Sequence, residues 1–469
     1  FGDETHLPPI FNPSPSYPSD DFYTTEDSLC CHPQLYTGRI PVSTAEDANK
    51  VVEKIHNYIL NPTPGIWRSK VALVADDMYR SCAFKNTELE KSHTSYSQIL
   101  YNTLKTQLPV LPYYGVHYSL HNCEHPELTR DLIQTINNGV ALINYIGHGS
   151  PEAWSDEKII DQSRDLSLIH PSENRLAIWM AGTCSFGAYY GENSFMEDLI
   201  IKEDGAIAVI GTTTGIDDLS NWNYIKSFFG LDNNLGIEYY INSDEDVTLG
   251  KLVGEVKNLN NNYKFHVFGD PALPLPFPKI GANVVEDFPD NINLVDDETI
   301  SFEESSQYSS ILIRKNEKDV TFYHDEDSII TYTVPVTYVQ MDVSGSSTCF
   351  RIPLDAGPCN SCVIIQAYQE NTGWDNKIQT IQNISLLGTV GDYNDIQGPV
   401  ILLSQYNSAV DAGSTIFPNM DLTVSLVDES GINLMETIGH GIRYAFDNEN
   451  PYLVPGNEFI YANCDSGSV

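Results

Sequence analysis

Two residues of this 469-residue chain stand where apolar runs give way to small residues. His148 lies in Asn144-Tyr-Ile-Gly-His-Gly-Ser150, and Cys184 lies in Ala181-Gly-Thr-Cys-Ser-Phe-Gly187. A thiol is mostly protonated near neutrality, and an adjacent imidazole draws it toward the nucleophilic thiolate. That thiolate attacks a carbonyl carbon, and the imidazolium then protonates a leaving amine. The backbone N–H groups of Gly149 and Cys184 are candidate donors to the resulting oxyanion. Each residue alone has a plainer reading, the cysteine as a small buried apolar group and the histidine as a polar loop residue. Ile438-Gly-His-Gly441 even repeats Ile146-Gly-His-Gly149 without a strand-end cysteine after it. The order strand, His-Gly, strand, Cys therefore carries the signal.

The elements that must position this pair alternate along the first 280 residues. Val71–Ala75, Val140–Ile146, Leu176–Ala181 and Ala206–Ile210 are short, nearly continuous apolar runs. Thr87–Leu108, Leu128–Ile136 and Ser194–Ile201 have helical periodicity. Buried strands alternating with helices predict an α/β fold with a parallel sheet covered on both faces. In such sheets reactive groups collect beyond the carboxyl ends of the strands. Pro271, Pro274, Pro276 and Pro278 mark a connector. Beyond it, Ser309–Arg314, Ile329–Val336 and Cys362–Tyr368 alternate with period two, as sandwich strands do. The expected domains are 1–280, a β-sandwich at 283–395, and a second, incomplete one at 396–469.

The net charge of -39, from 64 acidic against 25 basic residues, leaves no basic footprint for nucleic acid. No apolar run is long enough for a transmembrane helix. Neither Gly-x-Gly-x-x-Gly nor a Walker lysine motif is present, so nucleotide chemistry has little support. The abrupt start at Phe1-Gly2-Asp3 predicts a longer precursor.

The spacing of His148 and Cys184 resembles that of the gingipain-like cysteine peptidases, a branch of the caspase-like fold. So do Gly2-Asp3, Asp21-Phe-Tyr23, Gly38-Arg-Ile-Pro-Val42, Val71–Asp77, Trp154-Ser-Asp-Glu157 and Phe268-Gly-Asp-Pro-Ala272. Gly398-Pro-Val-Ile401, Asp428–Asn433 and Ile438–Gly441 are similar to the β-domains of that family's sortase branch in the bacterial type IX secretion system. The resemblance implies that His148 and Cys184 are catalytic and that an acid orienting the imidazole falls on Asp77, with Asp76 the alternative. It places Glu90, in Glu90-Lys-Ser-His93, at the base of a specificity pocket, against a plainer reading as a solvated helix residue. It further implies a bacterial extracellular or outer-membrane surface location and removal of C-terminal signals from exported cargo. The implied partners are protein or peptide substrates, type IX secretion components and a lipopolysaccharide amine. The competing class is an inactive surface binding or assembly protein; a secreted protease of general role is a further alternative.

No cofactor is required by this chemistry. Asp325-Glu-Asp327 and Asp296-Asp-Glu298 are candidate structural calcium ligands, with solvated turns the plainer reading. His117, His121, Cys123 and His125 crowd one polar stretch, read as a loop in preference to a metal site. Cys359-x-x-Cys362 with Cys349 lacks a fourth zinc ligand. Nine cysteines, an odd count, leave at least one thiol outside any disulfide.

Overall fold

The computed structural model describes all residues except 1, 4, 12–16, 26–32, 78, 82–83, 86, 192–193, 282, 324–328, 372, 389–396, 407, 418–419, 433, 435–441, 446–451 and 455–458. The tripeptide 325–327 and the second Ile-Gly-His-Gly therefore lie outside the described residues. Two compact units are present, Phe1–Lys279 with Val320–Tyr332, and Ile280–Asp319 with Thr333–Val469.

In the first unit six strands form one sheet: β1 (Val71–Ala75), β2 (Val110–Tyr114), β3 (Leu142–Ile146), β4 (Ile178–Gly182), β5 (Ala208–Thr212) and β6 (Phe265–Phe268). Their order is β6-β5-β4-β3-β1-β2, parallel except for β6. Every residue of β1, β3, β4 and β5 is buried, so both faces are covered. That explains why they read as continuous apolar runs. Full burial of a side chain such as Leu73 or Ile143 contributes about 1.5–3 kcal/mol. Pro112 is tolerated in β2 because β2 is an edge strand.

Six helices of this unit bear on the argument: α1 (Ala45–Leu60), α2 (Thr87–Leu104), α3 (Pro126–Asn138), α4 (Phe195–Ile201), α5 (Asp218–Phe229) and α6 (Leu249–Asn260). Helix α4 starts with a capping box, in which Ser194 and Glu197 satisfy each other's main-chain donors. Gly230, left-handed at φ 89°, ends α5. Among the described residues no helix is long and apolar enough to cross a membrane.

Register is the feature that matters for function. Ala75 pairs with Ile146, and Ile146 pairs with Gly182. The residues immediately beyond these three, Asp76-Asp77, Gly147-His148 and Thr183-Cys184, thus leave adjacent strands at one level.

The outer edge of β6 is closed by the segment around Arg39, whose N–H donates to Val267 O at 2.9 Å and whose carbonyl accepts from Gly269 N–H at 2.8 Å. A buried ion network locks it. Arg39 makes a two-pronged contact with Asp20 at 2.6 and 2.7 Å, and His266 and Tyr189 complete the shell at 3.2 and 3.1 Å. Lys257 and Asp21 form a second buried pair at 2.7 Å. Burial alone would raise the Asp20 pKa, but the charges of His266 and Arg39 outweigh it and hold the group well below the usual carboxylate range.

The second unit is all-β apart from one short helical turn, among the described residues. Strands on both sides of residue 396, including Cys359–Glu370, Asn376–Leu387, Val400–Gln405 and Leu422–Val427, belong to one sheet of 11 strands. Ile311, Ile313, Val363, Ile365, Phe350 and Phe459 lie in its core. Cys349 is bonded to Cys464 and Cys359 to Cys362, which closes the zinc reading. The first bridge spans 115 positions and strongly restricts the unfolded chain. Asp297 is engaged by Arg351 at 2.6 Å, and Glu298 accepts the Asn293 N–H at 3.0 Å.

Asp20→Asn, which leaves Arg39 buried beside a neutral amide, is expected to cost about 3–5 kcal/mol in denaturant unfolding at pH 7. Because the Asp20 pKa is depressed in the folded state, its contribution is complete above about pH 4 and is lost as pH falls further. Lys50→Ala, removing an exposed contact with Glu46, should leave the midpoint unchanged.

Candidate active site

Cys184 follows β4 in a turn that β5 clamps. The Thr212 hydroxyl donates to Thr183 O and accepts from the Ser185 N–H at 3.0 Å. Ser185 itself is left-handed at φ 58°. The half-buried Cys184 sulfur sits against the Ile216 main chain: the Ile216 N–H lies 3.4 Å from Sγ and the Ile216 carbonyl 3.5 Å from it. Cys184 is the free cysteine among the described residues, whereas Cys123 of the His/Cys-rich stretch is in a disulfide.

His148 is held by its main chain. Its N–H donates to Asp76 Oδ2 at 2.9 Å, and its carbonyl accepts from the Ser155 N–H at 2.8 Å and the Tyr145 hydroxyl at 2.7 Å. Tyr145 stacks on Trp154 with centroids 4.5 Å apart. Trp154 belongs to a small hairpin, Ala153–Trp154 with Ile160–Asp161, that follows the histidine turn. The imidazole meets His93 of α2 edge to face at 5.4 Å.

The flanking glycines act through close packing, since neither has a positive φ. A Cβ at Gly147 would strike the Tyr145 hydroxyl and Asp76 Cβ, and one at Gly149 would lie 2.6 Å from Thr183 Oγ1. Gly149 against Thr183 puts the histidine turn in contact with the cysteine turn. Neither the Gly149 nor the Cys184 N–H donates a hydrogen bond among the described residues.

Asp76 and Asp77 divide their labour. Asp76 holds the His148 main chain, and Asp77 Oδ2 lies 3.0 Å from Nε2 of buried His125. Glu157 from the hairpin brings a third carboxylate, with oxygens of all three within 4.8 Å of one another. Burial and then the Asp77 charge raise both other acids, Asp76 well above its ordinary value and Glu157 to about 7. Glu90 lies on α2, but its side chain is outside the described residues.

Residues 1–276 match the model of peptidase family C25. This chain belongs to peptidase family C25. Lys-gingipain W83 of Porphyromonas gingivalis is 28% identical over 186 residues, which are 39% of this chain and 10% of that protein. Gingipain R2 of the same species is 23% identical over 292 residues, 58% of this chain and 36% of the relative. An uncharacterized protein of Archaeoglobus fulgidus is 22% identical over 236 residues, 46% and 57% of the two chains. The chain thus spans about a tenth of Lys-gingipain and about half of the archaeal relative. The crystal structure of the Arg-specific cysteine proteinase gingipain R superposes over 82% of each chain with a TM-score of 0.48 and 15% identity.

Two features of this C25 member escaped sequence reasoning. His125, read as part of a polar loop, is buried at the start of α3; the His-Pro step at a helix start was the available signal. Asp218, two residues beyond Ile216, accepts from the Tyr96 hydroxyl at 3.3 Å and from Ser92 Oγ at 3.4 Å, beside a flat Tyr96–Trp222 stack at 4.4 Å. No motif announces it, because its partners are more than 120 positions away.

Gly147→Ala is expected to cost about 1–3 kcal/mol in thermal or denaturant unfolding by forcing Asp76 and Tyr145 apart. Gly215→Ala, where a Cβ meets nothing within 4 Å, should be neutral.

Proposed function

We propose that the chain is a cysteine endopeptidase in which Cys184 is the nucleophile and His148 its acid-base partner. The observation that carries this is the meeting of the two turns, at one level of adjacent parallel strands, with a free thiol on one and an imidazole on the other. His148 takes the thiol proton as Sγ bonds to the peptide carbonyl carbon. The Gly149 and Cys184 N–H groups receive the oxyanion, and the C–N bond breaks as His148 returns the proton to the amine. Water attacking the thioester releases a carboxylate; an amine in its place forms a new amide. Asp76 acts as a positioning residue through the His148 main chain, and Asp77 supplies the acid beside it.

Within that class the finer reading is a sortase-like enzyme that trims C-terminal signals from type IX secretion cargo and passes the acyl group to water or a lipopolysaccharide amine. The resembling β-domain segments support it. Disulfides in the second unit support an oxidising, extracellular or cell-surface location. For substrate choice, Asp218 with the Tyr96–Trp222 stack offers a carboxylate and an aromatic face, which together suit a basic residue before the cut. Glu90 remains a second acidic candidate on the same helix as Tyr96.

A fluorogenic panel varying only the residue before the cut, read at low and high salt, tests this. Cys184→Ala and His148→Ala should each lower kcat/KM by about 10⁴-fold or more with the fold intact. Asp218→Asn should selectively lose cleavage after arginine or lysine, on the order of 100-fold and independent of salt. Turnover persisting in purified Cys184→Ala would contradict the mechanism, and inertness of the wild type toward every peptide would favour the binding-protein class.

A further inference from the structure

Strand β6 runs against the other five strands of its sheet, so its amino end lies at the edge where they have their carboxyl ends. Its first residue, Phe265, pairs with Thr212, the last residue of β5. Lys264, one position earlier, therefore stands beside the loop that leaves β5 and runs past Cys184. The Lys264 carbonyl accepts from the Thr213 N–H at 2.9 Å, and its ammonium donates to Gly215 O at 2.8 Å. The same charge reaches Asp217, whose carboxyl is held below its ordinary value first by Ser220 and then by Lys264.

Gly215 O and the Ile216 N–H belong to one peptide group. That N–H lies 3.4 Å from Cys184 Sγ, and the Ile216 carbonyl lies 3.5 Å from it. A peptide group is planar, so fixing the direction of its carbonyl also fixes that of its N–H. The loop is anchored on both sides of this group. Thr214 O accepts from the Ser185 N–H at 3.2 Å, and Asp217 caps α5 by accepting from the Ser220 N–H at 2.9 Å. Between those anchors packing gives no restraint at Gly215, where a Cβ would meet nothing within 4 Å. A charge-assisted hydrogen bond on the carbonyl resists a turn of the peptide that would carry its N–H away from the sulfur. We propose that Lys264 is a positioning residue for acyl transfer: by holding the Gly215 carbonyl it keeps the Ile216 main chain against Cys184 Sγ and sets the direction in which the thiol meets a peptide carbonyl. The inference rests on the reading of Cys184 as the nucleophile. Orientation gives the contact its weight, since a displacement of about 1 Å can cost on the order of 100-fold in rate. The contact is exposed, so its contribution to folding is small.

Lys264→Met removes the ammonium, and Lys264→Arg restores a cationic donor. On the best-cleaved fluorogenic peptide of the panel, Lys264→Met should lower kcat about tenfold with KM changed by less than about twofold. The loss should be the same at low and high salt, because the effect of a remote charge would fade with salt. Lys264→Arg should recover most of it. Iodoacetamide makes little demand on orientation, so its rate of alkylating Cys184 should change by less than about twofold, and the unfolding midpoint should stay. A crystal structure of Lys264→Met, which needs no turnover, should show the Ile216 N–H beyond hydrogen-bond distance of Sγ. If Lys264→Met does not fold, Lys264→Gln is judged on the same readings. Unchanged kcat, with turnover still abolished by Cys184→Ala, would overturn the role of Lys264 alone. Turnover in Cys184→Ala would remove the proposed function and this inference with it. An alkylation rate that falls in step with kcat, a lowered midpoint with unchanged kcat, or an Ile216 contact kept in the variant structure would each overturn the inference.

Discussion

The hydrogen bond from the His148 N–H to the Asp76 carboxylate is the contact on which the cleft depends. It joins the carboxyl end of β1 to the turn after β3, where a free loop would otherwise let the imidazole wander. The bond works because register brings both residues out of the sheet together, Ala75 opposite Ile146. It also explains Gly147, whose missing side chain makes room for Asp76 and the Tyr145 hydroxyl. On the other side of β3, Gly149 against Thr183 extends the same economy of space to the cysteine turn. Three strand ends, two close glycine contacts and one buried carboxylate thus place a thiol and an imidazole on a shared rim.

Much of this was legible because buried parallel strands advertise themselves. Val71–Ala75 is found as read, and the runs at Val140–Ile146, Leu176–Ala181 and Ala206–Ile210 are displaced by only about two residues from β3, β4 and β5. The acids Asp76 and Asp77 could be placed at a strand end for the same reason. Their separate duties could not. Which of two adjacent carboxylates meets the histidine main chain and which meets His125 is decided by the path of the chain between α2 and α3, and that path has no periodic signal. Strand β2 was hidden by Pro112, which marks an edge and argues against a central strand. Helix α5 escaped because it is buried on more than one side, so its apolar stripe is blurred. Gly147 and Gly149 are points of close approach between neighbouring turns, which sequence spacing does not announce.

The charge of the chain has two physically distinct parts. Most of the 64 acidic residues are exposed enough for salt and water to screen them. A minority are buried, and these do structural and chemical work. Asp20 and Asp21 are matched by Arg39, His266 and Lys257 and anchor the N-terminal segment to the edge of the sheet. Asp76, Asp77 and Glu157 gather beyond the carboxyl end of β1, with Asp76 holding the His148 main chain and Asp77 beside His125.

The central claim is that Cys184 carries the acyl group. Acid-quenching the enzyme within milliseconds of mixing with a peptide ester, followed by intact-mass measurement and peptide mapping, tests it most directly. The account predicts a transient mass increase equal to the acyl group, mapped to the peptide containing Cys184 and absent in Cys184→Ala. Turnover of the ester with no adduct, or an adduct on another residue, would contradict it.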